Sequence, residues 1–122
     1  MQRPEPIPFF GELGSVNPMF LLPNAMSART EELARGWVGS LTMGAGQFCT
    51  NPGIAVVLDG PDADAFVTTA KAGLGDVAAQ TMLTDGMADA YRSGAKRIAA
   101  TSGVKEVLTT SCDLRNATPY LF

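Results

Sequence analysis

Residues 27–58, SARTEELARGWVGSLTMGAGQFCTNPGIAVVL, hold the pattern that decides the fold. Over residues 28–45 the apolar positions Leu33, Trp37 and Leu41 recur every four residues, with Ala34 and Val38 beside them. That spacing places one apolar stripe on a helix. Ser27 suits its N-cap, with Glu31 and Glu32 near the positive end of the helix dipole. Gly36, Gly39 and Gly44 lower the intrinsic helix propensity, so packing must hold the element. Asn51-Pro52-Gly53 reads as a turn. Residues 54–58, short, β-branched and apolar, then read as a central strand buried on both faces.

Working outward, residues 6–13 read as extended, because Pro4, Pro6 and Pro8 disfavour helix in the residues before them. Residues 16–22 form a second extended run, with Pro18 marking an edge or bent strand. Downstream, Asp59-Gly60-Pro61-Asp62 opens a helix with the stripe Phe66, Ala70 and Leu74. Residues 75–83 are looser. Thr84 is an N-cap for a helix over residues 85–100, whose stripe is Met87, Tyr91, Ala95 and Ile98 and which Gly103 stops. Residues 104–108 and 117–122 read as strands. No repeat emerges and no linker divides the chain. Strands alternating with helices predict an α/β layer architecture with a mostly parallel sheet.

The 122 residues suffice for one compact domain. Hydrophobic residues make up 46% and charged residues only 17%, below the usual figure of about 25%. Nine basic residues face twelve acidic ones, for a net charge of −3, and the basic ones never cluster. A phosphate backbone needs a clustered cationic face, so nucleic acid is not an expected partner. No apolar run approaches the roughly 20 residues of a membrane helix, and prolines interrupt any secretory signal at the start. A cytoplasmic protein is expected.

The chain has no histidine. Ser-His-Asp triads, Cys-His dyads and histidine zinc sites are thereby excluded. Its two cysteines, Cys49 and Cys112, cannot build a four-thiolate metal site, and no metal is expected. Any catalysis must use a thiol, a carboxylate, a lysine or a hydroxyl.

Two segments carry that chemistry: Gly11-Glu12-Leu13-Gly14-Ser15-Val16-Asn17-Pro18, and Gly44-Ala45-Gly46-Gln47-Phe48-Cys49-Thr50-Asn51-Pro52-Gly53. Cys49 sits where a helix gives way to a glycine-flanked turn, which can present the sulfur to a ligand. A strand from Val16 travels about 23 Å, and the following helix returns about 27 Å. A strand-out, helix-back unit therefore brings Cys49 near Glu12. Taken singly, the cysteine also reads as an inert core residue and the glutamate as a solvated charge.

Together the segments resemble the two active-site signatures of the aldehyde dehydrogenase superfamily, and the resemblance runs over essentially the whole chain. Ser15 and Val16 stand where the family usually has glycine and lysine. Met43 and Gly44 stand where it has an aromatic residue and asparagine. These departures resemble the α-ketoglutarate semialdehyde (2,5-dioxovalerate) dehydrogenase branch. The resemblance implies that Cys49 is the nucleophile and Glu12 the general base, with Phe48 and Thr50 lining the aldehyde pocket. It also implies that Leu13 and Gly14 touch the cofactor, NAD or NADP, most of whose site lies outside this chain. Cys112 matches no signature and reads as structural.

The resemblance places residues 1–122 in the N-terminal part of a catalytic domain. The cofactor-binding domain, the C-terminal part and the oligomerisation segments would lie elsewhere in a homo-oligomeric parent protein. Inactivity of the chain alone is the corresponding expectation. A non-catalytic α/β scaffold and a stand-alone Cys49/Glu12 thiol esterase are the rival readings.

Overall fold

The computed structural model describes Pro8 and residues 14–122. The extended reading of residues 6–13 therefore lies, apart from Pro8, outside the described residues. Strand β1 (Pro18–Phe20) pairs in parallel with β2 (Ile54–Val56). Pro18 stands opposite Ile54, Met19 opposite Ala55 and Phe20 opposite Val56. The Leu21 N–H extends the ladder by donating to the Val56 carbonyl at 2.9 Å. Parallel neighbours need a long crossover, and helix α1 (Pro23–Thr42) supplies it.

Helix α1 begins four residues before the Ser27 cap read from sequence. Leu22 is its N-cap, and Pro23 occupies the first turn, where a missing N–H costs nothing. Burial of Met26 carries this first turn onto the core. The helix is broken at Arg29 (φ −155°, ψ 39°), so the Ser27, Glu31 and Glu32 signal marks a restart rather than the origin. The Ser27 hydroxyl instead donates to Asp62 of the next helix at 3.0 Å. The stripe itself is as read: Ala34, Trp37 and Val38 are buried, and Leu33 and Leu41 pack beside them.

Helix α2 (Pro61–Gly75) completes the unit, burying Ala63, Phe66, Ala70 and Leu74. The Trp37 and Phe66 rings meet at 5.6 Å between centroids, tilted by 47°. Gly73 permits close approach of the two helices, since a Cβ there would lie 3.3 Å from Val38 Cγ1. From the sheet, Met19, Ala55 and Val57 pack against this core. Ile54, Val56 and Leu58 point the other way and are exposed. The expectation of a strand buried on both faces is corrected: α1 and α2 cover one face, and no described element covers the other.

The rest of the chain is built differently. Strand β3 (Gln80–Thr81) pairs antiparallel with β4 (Asn116–Ala117). Between them runs α3 (Asp85–Ala99), capped as expected by the Thr84 hydroxyl, which accepts the Met87 N–H at 3.1 Å. Its stripe is corrected: Ala88 and Ala95 are buried, Tyr91 is half-buried, and Met87 and Ile98 are exposed. Tyr91 and Ile98 border an apolar cavity of about 660 Å³ that also reaches Trp37, Phe66, Tyr120 and Phe122. The larger side chains of α3 thus face a void that no described element fills.

Residues 104–108 are not a strand. Gly103 (φ +85°) turns the chain, and the Val104 N–H donates back to Thr101, so no ladder forms there. Only Leu108 bridges to Leu121, antiparallel. The Val107 N–H also donates to the Leu121 carbonyl and the Met82 N–H to the Arg115 carbonyl, and side chains add to these backbone ties. The Thr110 hydroxyl donates to the Pro119 carbonyl at 2.9 Å, and the Tyr91 hydroxyl to the Thr118 carbonyl at 3.0 Å. Alternation of strands and helices is as expected, and β1 with β2 is parallel. A mostly parallel sheet is not what the described residues form, because their second pair is antiparallel.

Candidate functional site

Strand register brings the two sequence segments together. Because Pro18 stands opposite Ile54 in parallel strands, the residues preceding each strand emerge at the same end of the sheet. There the Asn17 side-chain amide donates to the Cys49 carbonyl at 2.8 Å and to the Asn51 carbonyl at 3.2 Å. The Ser15 hydroxyl also donates to the Cys49 carbonyl. Asn17 further donates to Ser15 Oγ at 3.4 Å, so the two residues act as one clamp.

The Cys49 segment leaves α1 through one 3-10 turn (Met43–Gly46), not through a helix continuing to residue 45. Gly44 (φ +58°), Ala45 (φ +58°) and Gly46 (φ +71°) are all left-handed. For Ala45 this conformation costs about 1–2 kcal/mol. The compensation comes from side-chain amides. Gln80 accepts the Ala45 N–H at 2.8 Å and donates to the Thr42 carbonyl at 3.2 Å. Gln47 accepts the Leu83 N–H at 2.9 Å and donates to the Gly44 carbonyl at 3.0 Å. Asn51 donates to the Leu41 carbonyl at 2.6 Å, and the Trp37 indole to the Pro52 carbonyl at 2.8 Å. The turn itself closes on the Asn51 N–H and Phe48 carbonyl at 3.0 Å, just ahead of the Asn51-Pro52-Gly53 turn expected.

Cys49 is exposed at the apex of this turn and carries a free thiol. It borders an open groove of about 670 Å³, together with Gly14, Ser15, Phe48, Leu83 and Met87. Thr50 is exposed and does not line the groove. Gly14 stands at its rim with φ +104°. Glu12 and Leu13 lie outside the described residues. Cys112 is half-buried, with its sulfur 3.4 Å from the Thr118 hydroxyl.

Among the described residues the groove is lined by neutral side chains only. A dinucleotide carries a pyrophosphate, which calls for a helix N-terminus, a glycine-rich cradle or a cation. At the groove the described residues supply glycines (Gly14, Gly46, Gly53) and the start of α3 beside Leu83 and Met87, but no cation to meet that charge. No group of three or more potential metal ligands occurs among them. None of their helices is long and apolar enough to cross a membrane. A chemically competent arrangement remains: an accessible thiol on a rigid turn, beside an uncharged groove.

The sequence assigns Ser15, Asn17, Gln47 and Gln80 no mechanical role, and Asn51 only a place in a turn. The available signal was the concentration of amide side chains around a run of glycines. Such a run cannot hold a fixed shape by its own packing.

No family model matches the chain. It is 50% identical over 105 residues to alpha-ketoglutaric semialdehyde dehydrogenase 2 of Azospirillum brasilense, covering 86% of this chain and 20% of that protein. It is 38% identical over 122 residues to alpha-ketoglutaric semialdehyde dehydrogenase of Acinetobacter baylyi, covering 98% of this chain and 23% of that protein. The chain thus spans about a fifth of the length of the curated relatives it matches. The resemblance read from the two motifs is borne out by relatives bearing the same activity in their names.

Proposed function

We propose that this chain is the nucleophile-bearing segment of an NAD(P)-dependent aldehyde dehydrogenase acting on a semialdehyde, with 2,5-dioxopentanoate as substrate and 2-oxoglutarate as product. The observation that carries the reading is the clamp. Ser15 and Asn17 of one signature hydrogen-bond the carbonyl of Cys49 in the other, at the edge of an open groove. The likeness to two semialdehyde dehydrogenases supports the substrate class.

In this reading the Cys49 thiolate attacks the aldehyde carbon, forming a C–S bond and a thiohemiacetal alkoxide. The Cys49 backbone N–H and a second donor stabilise that alkoxide. Oxidation of the thiohemiacetal to a thioester consumes a hydride acceptor. A nicotinamide cofactor would supply this chemistry when bound, with Leu13 and Gly14 at its edge and most of its site in the rest of the parent protein. Glu12 then takes a proton from water, which attacks the thioester carbonyl and expels the Cys49 thiolate. The product is the carboxylic acid. A carboxylate as base suits a chain without histidine. Phe48 lies on the groove wall and contributes apolar surface to the aldehyde chain, and Gly14 at the rim keeps with Leu13 the cofactor role the resemblance gives them; Thr50, outside the groove, is given no pocket role.

The full-length protein carrying this segment should reduce NAD(P)+ in the presence of the semialdehyde, and Cys49→Ser should abolish that activity. Undiminished activity in Cys49→Ser would overturn the reading. The 122-residue chain alone should produce no NAD(P)H, since the resemblance assigns most of the cofactor site to the rest of the parent protein.

A further inference from the structure

Hydrogen-bond donors are useful to a reacting carbonyl only when their direction is fixed in advance. Two peptide units flank the Cys49 side chain. The carbonyl of the first, on Phe48, accepts the Asn51 N–H at 3.0 Å. The carbonyl of the second, on Cys49, accepts from Asn17 at 2.8 Å and from Ser15. The chain has no cis peptide among the described residues, so each N–H points opposite to the carbonyl of its own unit. The Cys49 N–H is therefore aimed by the turn, and the Thr50 N–H by Asn17 and Ser15. Neither N–H has a hydrogen-bond partner among the described residues.

The clamp comes from outside the turn. Asn17 is half-buried immediately ahead of β1, and it spends its amide on the Cys49 and Asn51 carbonyls and on Ser15. Within the turn the Cys49–Thr50 peptide makes no hydrogen bond of its own, so beyond Cys49 ψ and Thr50 φ its orientation depends on these external donors. Without an external donor, that carbonyl would turn toward water and take the N–H with it.

We propose that Asn17, assisted by Ser15, is a positioning residue for carbonyl addition at Cys49. It locks the Cys49–Thr50 peptide so that the backbone N–H groups beside the sulfur stay directed at the alkoxide that forms there. This rests on Cys49 being the nucleophile and adds a role for residues that act through the backbone of Cys49.

The test compares Asn17→Ala, Ser15→Ala and Cys49→Ser in the full-length protein by aldehyde oxidation, by the rate of Cys49 alkylation with iodoacetamide, and by thermal unfolding. Alkylation displaces iodide at a saturated carbon and forms no oxyanion, so it reports thiol access without the donors. Asn17→Ala should lower kcat about 100-fold, with KM within about threefold. Its alkylation rate should stay within about twofold of the parent.

An unchanged kcat, or kcat and alkylation falling together, would overturn the positioning role. If Asn17→Ala does not fold, Ser15→Ala decides. A kcat loss of about 3–10-fold with unchanged alkylation supports the proposal, and no loss refutes it. Cys49→Ser reports on the underlying reading: full oxidation by that variant removes the nucleophile and the positioning role together. An inactive Cys49→Ser beside a fully active Asn17→Ala removes the positioning role alone.

Discussion

The first half of the described chain and the second are held by different forces. In β1, α1, β2 and α2, large side chains meet: Trp37, Phe66, Leu74 and Met26 are all at most 6% exposed. Beyond residue 76 the buried side chains are only Met82, Ala88 and Ala95. There α3 is joined to the tail by Tyr91 to Thr118 and Arg92 to Asn116, and the tail to itself by Thr110 to Pro119. Apolar burial is non-directional and strong per side chain, whereas each such hydrogen bond nets only about 1 kcal/mol. The reactive turn is placed where the two halves meet. Its Cys49 carbonyl is held by Asn17 from the first half and its Ala45 N–H by Gln80 from the second.

The sharpest break of this contrast is Phe66→Ala. It removes a ring 3% exposed that lies against Trp37, and should cost about 3–5 kcal/mol. Urea unfolding followed by Trp37 fluorescence measures it. A loss below about 1 kcal/mol would show that the first half is no better packed than the second.

Gly44→Ala should have the next largest effect. Its φ of +58° suits glycine, and an added Cβ would meet the Phe48 ring at 2.6 Å. Phe48 is 53% exposed and can swing away, so the backbone conformation dominates the cost at about 1–2 kcal/mol. The displaced ring alters the groove wall beside Cys49. Urea unfolding should show the loss of stability, and aldehyde KM in the full-length protein should rise.

The same contrast explains what was legible in the sequence. The stripes Leu33, Trp37, Leu41 and Phe66, Ala70, Leu74 announce their helices because a packed core requires that period. Thr84 announces α3 because its hydroxyl serves a local N–H. Met87 and Ile98 mislead, since an apolar period says nothing of whether another element fills the opposite side. Residues 104–108 mislead for a related reason: β-branched composition needs a partner strand, and the turn at Gly103 has already spent the Val104 N–H. At the site, the motif residues Cys49 and Phe48 were visible as chemistry. Asn17 and Gln80 were not, because their partners are backbone carbonyls and N–H groups 32 and 35 positions away. Only the parallel register of β1 and β2 reveals the first of these contacts.

Tyr91 offers a chemical handle on the second half. Burial pushes its phenol above the ordinary value of 10.0. The folded protein therefore keeps the proton at a pH where the unfolded chain releases it. Stability is full below pH 10 and falls as pH rises through the folded-state value. Tyr91→Phe should cost about 1 kcal/mol at neutral pH by losing the bond to Thr118, and should remove its share of the alkaline decline. Thermal unfolding between pH 8 and 11 measures both effects. A decline of equal steepness in the variant would assign it to other groups.

The smallest effects come from two ion pairs that look alike. Arg35 meets Glu31 at 2.6 Å, one helical turn apart on α1, and both side chains are 67% exposed. Arg92 meets Asp89 at 2.7 Å on α3, yet its side chain is only 26% exposed. Arg92 also donates to the Asn116 carbonyl of β4 at 3.4 Å, so it joins two elements where Arg35 joins none. Arg35→Ala should change stability by about 0.5 kcal/mol or less, and less again in high salt. Arg92→Ala should cost about 1 kcal/mol and keep most of that cost in high salt, because part of the loss is a hydrogen bond to backbone and covered apolar stem. Equal losses for the two variants would mean that polar ties in the second half do no more than solvated pairs in the first, and that the packed half alone holds the reactive turn in place.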